Sequence, residues 1–411
     1  MLDVPSLRAQ FPALNRARDG LLPVFLDGPG GTQVPQRVID AITDYLVRCN
    51  ANHGGAFATS RESDELLHDT HAAVADLLNA PSPDEIVFGA NMTSLTLHLA
   101  RSLTRLLRPG DEILVTRLDH DANVRPWVLA ARDAGAAVRW VDFHPGDGTL
   151  DLDHFRRQLS PRTRLAAFAG ASNALGTLND VPCLTRWAHD AGALVFIDAV
   201  HLAPHAPIDV QAWDCDFLAC SAYKFFGPHV GILWGRRALL EDWPAYKVRP
   251  APDSLPGRWM TGTQNHEGLA GVRAAVAYLA DLAPSTQGPR RQRLLAGLTA
   301  IRDYEKSLGR RLLEGLAARP RYRVWGIADP AREVDRVPTV SVTLPSHPSS
   351  ALAGHLAARH IYTYSGNFYA LELTGRLGLE RQGGLLRLGL VHTNTPEEID
   401  RLLQALDDFP G

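Results

Sequence analysis

Up to about residue 265 the chain alternates short, nearly continuous apolar runs with stretches of helical spacing, and this alternation restricts the fold more than any other feature. The runs cover residues 85–89, 112–116, 138–143, 164–169, 193–198, 216–220 and 230–234. Strands buried on both faces read this way, because neither face offers water to a polar side chain. Between the runs lie amphipathic stretches such as 34–49, 94–107 and 183–190. The pattern predicts an α/β fold with a largely parallel sheet covered by helices on both faces. Ligands of such sheets bind beyond the carboxyl ends of the strands. After residue 265 the texture changes. A long helical region, 268–318, is interrupted near Pro284–Pro289 and leads to β signals at 321–325, 339–343, 360–364 and 385–391, with a closing helix at 396–407. The expected division is a large domain over 20–265 and a smaller α+β domain from 1–19 and 266–411. The proline-rich, charged stretch 248–258 reads as a surface excursion.

Charge and termini exclude several classes. Basic and acidic residues nearly balance, 42 against 45, so electrostatics gives no reason to expect nucleic acid or an anionic membrane as partner. No apolar run approaches the ~20 residues that span a bilayer. The start, MLDVPSLRAQF, lacks the basic and apolar regions of a secretory leader. The four cysteines (Cys49, Cys183, Cys215, Cys220) form no CxxC pair and read as reduced thiols of a cytoplasmic protein. No metal site is expected.

Lysine is scarce. Of the 42 basic residues only Lys224, Lys247 and Lys306 carry an amine, and the other 39 are arginine. Lys306 sits on a polar helical stretch and Lys247 in a charged loop, both in water by expectation. Lys224 follows an apolar strand in Asp216-Phe-Leu-Ala-Cys-Ser-Ala-Tyr-Lys-Phe-Phe-Gly-Pro. It is either a strand-end lysine facing solvent or a desolvated amine, neutral and nucleophilic near neutral pH. Asp198 ends the apolar run Leu194-Val-Phe-Ile-Asp, as a turn aspartate or as a carboxylate that pairs with a cofactor's cationic group. Asn91-Met92-Thr93-Ser94 starts a helix after a strand, as a simple N-cap or as a phosphate cradle. His120, after the next strand, caps a turn or stacks on a flat ring. All four fall after strands, in the order phosphate loop, stacking group, acid, lysine. A pyridoxal phosphate (PLP) enzyme requires that set: the lysine holds the aldehyde, and the acid keeps the pyridine nitrogen protonated so that the ring accepts electrons. Gly28-Pro-Gly-Gly31 is not the G-x-G-x-x-G of nicotinamide enzymes.

Several segments resemble the class V aminotransferase group of fold-type I PLP enzymes, and within it the cysteine desulfurase-like proteins. They are Leu26-Asp-Gly-Pro-Gly-Gly-Thr-Gln-Val-Pro35, Asp119-His-Asp-Ala-Asn123, Ser172-Asn-Ala-Leu-Gly-Thr177, Ser221-Ala-Tyr-Lys-Phe-Phe-Gly-Pro228, Gly262-Thr-Gln-Asn-His-Glu267 and Arg387-Leu-Gly-Leu-Val-His-Thr-Asn-Thr395. The resemblance covers nearly the whole chain. It implies a seven-stranded, mainly parallel sheet in the large domain and pyridoxal 5'-phosphate as cofactor. Lys224 would carry the Schiff base and Asp198 would pair with the pyridine nitrogen. His201 would lie beside that acid, where relatives often have glutamine. His120 would stack on the ring and Asn173 would sit near the ring oxygen. Met92, Thr93 and Ser221 would hold the phosphate, with Tyr223 at a position that is often histidine. Thr263 would reach the phosphate of the other subunit, which implies a homodimer with shared active sites. Arg387 would clamp the carboxylate of a small amino-acid substrate.

One departure bears on the reaction. Desulfurases carry a persulfide-forming cysteine on a loop of the small domain, and here the corresponding stretch is Tyr364-Ser-Gly-Asn-Phe-Tyr369-Ala. Tyr369 stands at about the cysteine position and Tyr364 where desulfurases have an arginine. No cysteine follows residue 220. The expected chemistry is displacement of Lys224 by the substrate amine, then removal of the α-proton by Lys224 and loss of a β-substituent from a cysteine-derived amino acid. Transamination, epimerisation and a catalytically silent PLP-binding protein stand as alternatives.

Overall fold

The computed structural model describes residues 2–283, 287–345 and 347–410. The seven apolar runs form the strands Ile86–Gly89, Glu112–Thr116, Ala137–Val141, Thr163–Ala169, Leu194–Asp198, Phe217–Ser221 and Gly231–Gly235. They join one sheet in which the first strand neighbours the last, followed inward by Phe217–Ser221, Leu194–Asp198, Thr163–Ala169, Glu112–Thr116 and Ala137–Val141. Gly231–Gly235 is antiparallel to both its neighbours, and the remaining pairs are parallel. Successive side chains point to opposite faces. Phe168, Ile197, Leu218 and Ile232 enter the core under one helical layer, while Ala167, Phe196, Phe217 and Leu233 enter the core under the other. Register lines up the carboxyl edge. Ala169 lies beside Asp198, Asp198 beside Ala219, and Ser221 beside Gly231.

The smaller unit holds a four-stranded antiparallel sheet in the order Tyr364–Gly366, Leu385–Gly389, Thr339–Thr343, Arg323–Trp325. Leu308, Leu312, Val340, Leu386, Leu388 and Leu402 fill its core. The closing helix Pro396–Asp407 starts on a Thr395/Glu398 capping box, which satisfies two backbone N–H groups that lack intrahelical partners.

The apolar clusters run across positions 19/20 and 265/266. Leu269, Val272, Val276 and Leu279 of the helix His266–Asp281 join the large core. Val24 and Leu26 join the small one, because Val24–Phe25 pairs in parallel with Ile361–Tyr362. The expected strand 360–364 is two strands in different sheets, Ile361–Tyr362 and Tyr364–Gly366. The helices His266–Asp281 and Arg290–Ala317 flank the expected break near Pro284–Pro289, which lies in part outside the described residues. Among the described residues no helix is long and apolar enough to cross a membrane.

Candidate active site

A cavity of about 300 Å³ opens where the carboxyl edge of the large sheet meets the smaller unit. The strand-end segments supply Asp198, Ser221, Tyr223 and Lys224, and the start of the helix Met92–Thr104 supplies Met92 and Thr93. Loops after strands add His120, Asn173 and His201, and the smaller unit adds Tyr364, Tyr369 and Arg387. Thr263 is the one expected residue not brought here. It is exposed, in the loop before the helix His266–Asp281.

Lys224 is not a solvated strand-end lysine. Its Nζ donates to the carbonyl of Pro29 and lies 4.7 Å from the centroid of the Tyr223 ring. Burial pushes its pKa down to about 7, helped by the Arg387 charge and opposed by Asp198 and Asp27. Much of the amine is therefore neutral at physiological pH. Burial pushes Asp198 up to about 6, against the pull of the Val200 N–H, which donates to its Oδ1 at 2.9 Å, and of Lys224. Asp198 thus keeps its charge at neutral pH in a buried site.

His120 caps its turn, one of its two sequence readings. Its Nδ1 accepts from the Ala122 N–H at 3.0 Å, which caps the turn and leaves the ring proton on Nε2. Burial, with the Lys224 and Arg387 charges, holds its pKa down to about 4, so the ring is neutral. Behind it, Asp119 accepts from Thr116 and from Asn123, whose own Oδ1 accepts from Trp127 at 3.0 Å. At the helix start, Asn91 is a true N-cap, accepting from the Ser94 N–H at 2.9 Å. The Met92 N–H donates to Ser221 Oγ at 3.1 Å, so this pair faces itself as well as the cavity. Gly231 allows the close approach: a Cβ there would lie 2.3 Å from the backbone carbon of Asn91.

Arg387 is 5% exposed, and burial lowers its pKa only to about 10, so it remains a cation. Its Nη1 donates to the carbonyl of Asn173 at 2.9 Å and its guanidinium lies 4.1 Å from the Phe368 ring centroid. Tyr364 pairs with Arg387 across the antiparallel strands. The loop beyond is held in place. Asn173 Nδ2 donates to the Phe368 carbonyl at 2.9 Å, and the Tyr369 carbonyl accepts from Asp121 at 2.7 Å. Phe368 and Tyr369 both adopt left-handed backbone, with φ of 55° and 58°. Such strain persists only where surrounding contacts enforce it. The Tyr369 ring stacks on His120 at 5.3 Å and 21°, yet stays 71% exposed. No cysteine lines the cavity. Cys215 and Cys220 are buried, which pushes both thiols far up.

Sequence reasoning named Asp27 within a segment but gave it no role. Burial pushes its carboxyl up to about 6, against the backbone and the nearby Arg387 and Lys224 charges. Its charge acts on Arg387 and, after Asp198, on Lys224, and the signal for it was an acid directly before Gly28-Pro-Gly-Gly31. Phe368, the platform under Arg387, was also missed.

The sequence model described as aminotransferase class-V matches residues 24–402. The chain belongs to the class-V aminotransferase family. Within this family the chain is 34% identical to an aminotransferase-like protein of Gibberella zeae, over 98% of each chain. It is 32% identical to a cysteine desulfurase of Serratia proteamaculans, over 98% of this chain and 97% of the relative. Among solved structures, a cysteine desulfurase of Escherichia coli superposes with a TM-score of 0.84 at 28% identity, covering 99% and 98% of the two chains. An apo cysteine desulfurase of Thermococcus onnurineus gives 0.88 at 25%. The class-V fold is thus the fold-type I arrangement expected from the sequence, in its cysteine desulfurase-like form, and members of this family use pyridoxal 5'-phosphate. The residues present suit that group. The cavity offers a desolvated amine, a buried ionised carboxylate and a helix start whose first N–H groups lack intrahelical partners. It also offers one buried acceptor, Asn173 Oδ1, with no hydrogen-bond partner.

Proposed function

We propose that this chain is a PLP-dependent lyase that expels a β-substituent, such as a thiolate, from a small cysteine-derived amino acid without forming a persulfide. The observation that carries this reading is a cavity holding Lys224, Asp198 and Arg387 together, with no cysteine on its walls. The bound cofactor would supply an aldehyde that takes an amine and a ring that accepts electrons. Lys224 would hold the aldehyde and, once displaced by the substrate amine, take the α-proton on its neutral Nζ. Asp198 would keep a proton on the ring nitrogen, and the neutral His120 ring would flank the flat face. His201 would stay beside the ring, positioned by Thr339 Oγ1 at 3.0 Å from its Nε2. Asn173 would stand beside the ring oxygen. Thr93, Ser221, Met92 and Tyr223 would receive the phosphate. Arg387, held by Asn173 and Phe368, would orient the substrate carboxylate. The Tyr364 and Tyr369 rings would close the mouth over the substrate.

Thr263 lies outside its own chain's cavity, and we assign it to the phosphate of a second copy in a homodimer. A monomer in sedimentation would contradict that assignment. The reaction is tested by offering amino acids and cysteine S-conjugates to cofactor-loaded protein. Pyruvate and ammonia in equal amounts are expected. A keto acid with retained amine on the protein would point instead to transamination, which the aminotransferase-like relative keeps in view.

A further inference from the structure

The loop 172–177 gives successive carbonyls to donors that come from outside the large sheet. Asn173 accepts from Arg387 Nη1 at 2.9 Å and Ala174 from Ser341 Oγ at 2.5 Å. Leu175 accepts from Arg336 Nη2 at 3.0 Å, and Gly176 from the Val337 N–H at 2.9 Å. Arg336 and Val337 lead into the strand Thr339–Thr343, and Ser341 and Arg387 face each other across paired strands of the smaller unit. Position 176 needs glycine for so close an approach. Its φ is +79°, and a Cβ there would lie 2.5 Å from the Thr339 carbonyl oxygen.

Among these donors Arg336 stands apart. It is 5% exposed, and its sequence neighbours Glu333 and Asp335 are paired with Arg310 and Arg332 instead. Burial alone lowers its pKa, and only to about 10, so it remains a cation set among backbone dipoles. A desolvated cation without a counter-charge is costly, and the cost is offset only where its donors are used. Here they are used. Besides Leu175, the guanidinium donates to the carbonyls of Ile327 and Thr339, so one rigid planar group ties three segments of chain together.

Asn173 passes this tie on to the active cavity. Its carbonyl holds Arg387, and its Nδ2 donates at 2.9 Å to the carbonyl of Phe368, whose ring lies against the Arg387 guanidinium. The direction of Arg387 therefore depends on where the loop 172–177 sits. We propose that Arg336 is a positioning residue for substrate recognition: it fixes the loop 172–177 and, through Asn173, aims Arg387. This rests on reading Arg387 as the clamp for the substrate carboxylate, and not on the fate of the β-substituent.

L-Alanine is a suitable probe, because it carries the carboxylate and no β-leaving group. Its affinity is read from the change in cofactor absorbance as it is titrated into the cofactor-loaded full chain. Arg336→Gln removes the cation and most of its donors. Alanine affinity should fall by at least roughly fivefold, while circular dichroism and the absorbance before alanine match the parent. A second variant separates aiming from a general loss of structure. Arg336→Gln combined with Arg387→Lys should bind alanine within about twofold of Arg387→Lys alone, because the fork to be aimed is already gone. Parent-like affinity in Arg336→Gln, or full additivity of the two losses, would overturn the proposal and leave the carboxylate clamp standing. Parent-like affinity in Arg387→Lys would overturn the clamp and the proposal with it. If Arg336→Gln does not fold, Arg336→Lys, which keeps the charge, is measured by the same criteria. Failure of both to fold would make Arg336 a folding residue only and overturn the proposal.

Discussion

On the sheet side of the active cavity, Asp198, Ser221 and Lys224 stand at or just past the ends of strands whose residues are buried in all but one case, Leu194. On the opposite side, Tyr364 opens an edge strand and Tyr369 lies in the loop after it, and they are 53% and 71% exposed. The first wall is fixed by strand register, so each side chain has one place to be. The second is fixed by a few hydrogen bonds to backbone carbonyls and by left-handed residues. The walls therefore differ in what they decide. Under the proposed function, the sheet side would set whether the cofactor is held and activated, while the small-unit side would set which substrate fits and where its leaving group goes.

Substitutions on the two walls sharpen this contrast. Lys224→Ala should abolish borohydride-trappable attachment of the cofactor and lower turnover by at least roughly 100-fold, as loss of a general base does. The same lysine gives a pH signature. Because burial lowers its pKa to about 7, the neutral, attacking form grows as pH rises through that value. Attachment to stripped protein should therefore speed up through neutrality and level off about one unit above. A rate still climbing towards the ordinary lysine range would show Lys224 to be solvated. Arg387→Lys keeps the charge but loses the planar fork. It should lower kcat/KM by roughly 10- to 100-fold, mainly through KM, with the cofactor absorbance unchanged. A changed absorbance would move Arg387 to the cofactor side of the comparison. Tyr369→Phe should have the smallest effect, under roughly threefold in kcat/KM, because the stacked ring remains. A fall beyond about tenfold would make the hydroxyl a proton donor to the leaving group.

The same contrast explains what could be read in the sequence. The seven strands of the large sheet were legible because continuous apolar runs have few other uses in a chain of this length. Asp198 was legible because a polar residue ending such a run marks the sheet edge, and Lys224 because a rare lysine falls one short turn past the next run. The helix Ala58–Leu78 was not, since its first half is polar and Phe57 gives it no side-chain cap. Nor was the partition of the core, because periodicity shows that Leu269 or Val24 is buried but not against which surface. The split at Thr363 depends on which sheet each half of 360–364 joins, and no local signal carries that. Tyr364, Tyr369 and Arg387 entered through family resemblance. The platform residue Phe368 meets Arg387 through the fold of the small unit, and Asp27 acts on both cations from hundreds of residues away, neither of which spacing along the chain can reveal.

The proposed reaction needs Lys224 and no thiol. The direct measurement replaces Cys49, Cys183, Cys215 and Cys220 together with alanine, and follows pyruvate and ammonia release from a cysteine S-conjugate by cofactor-loaded protein. Rates within about twofold of the parent are expected under this reaction, since no cysteine lines the cavity and the buried thiols are held protonated. Loss of product release in a variant that still folds and still holds the cofactor through Lys224 would contradict it.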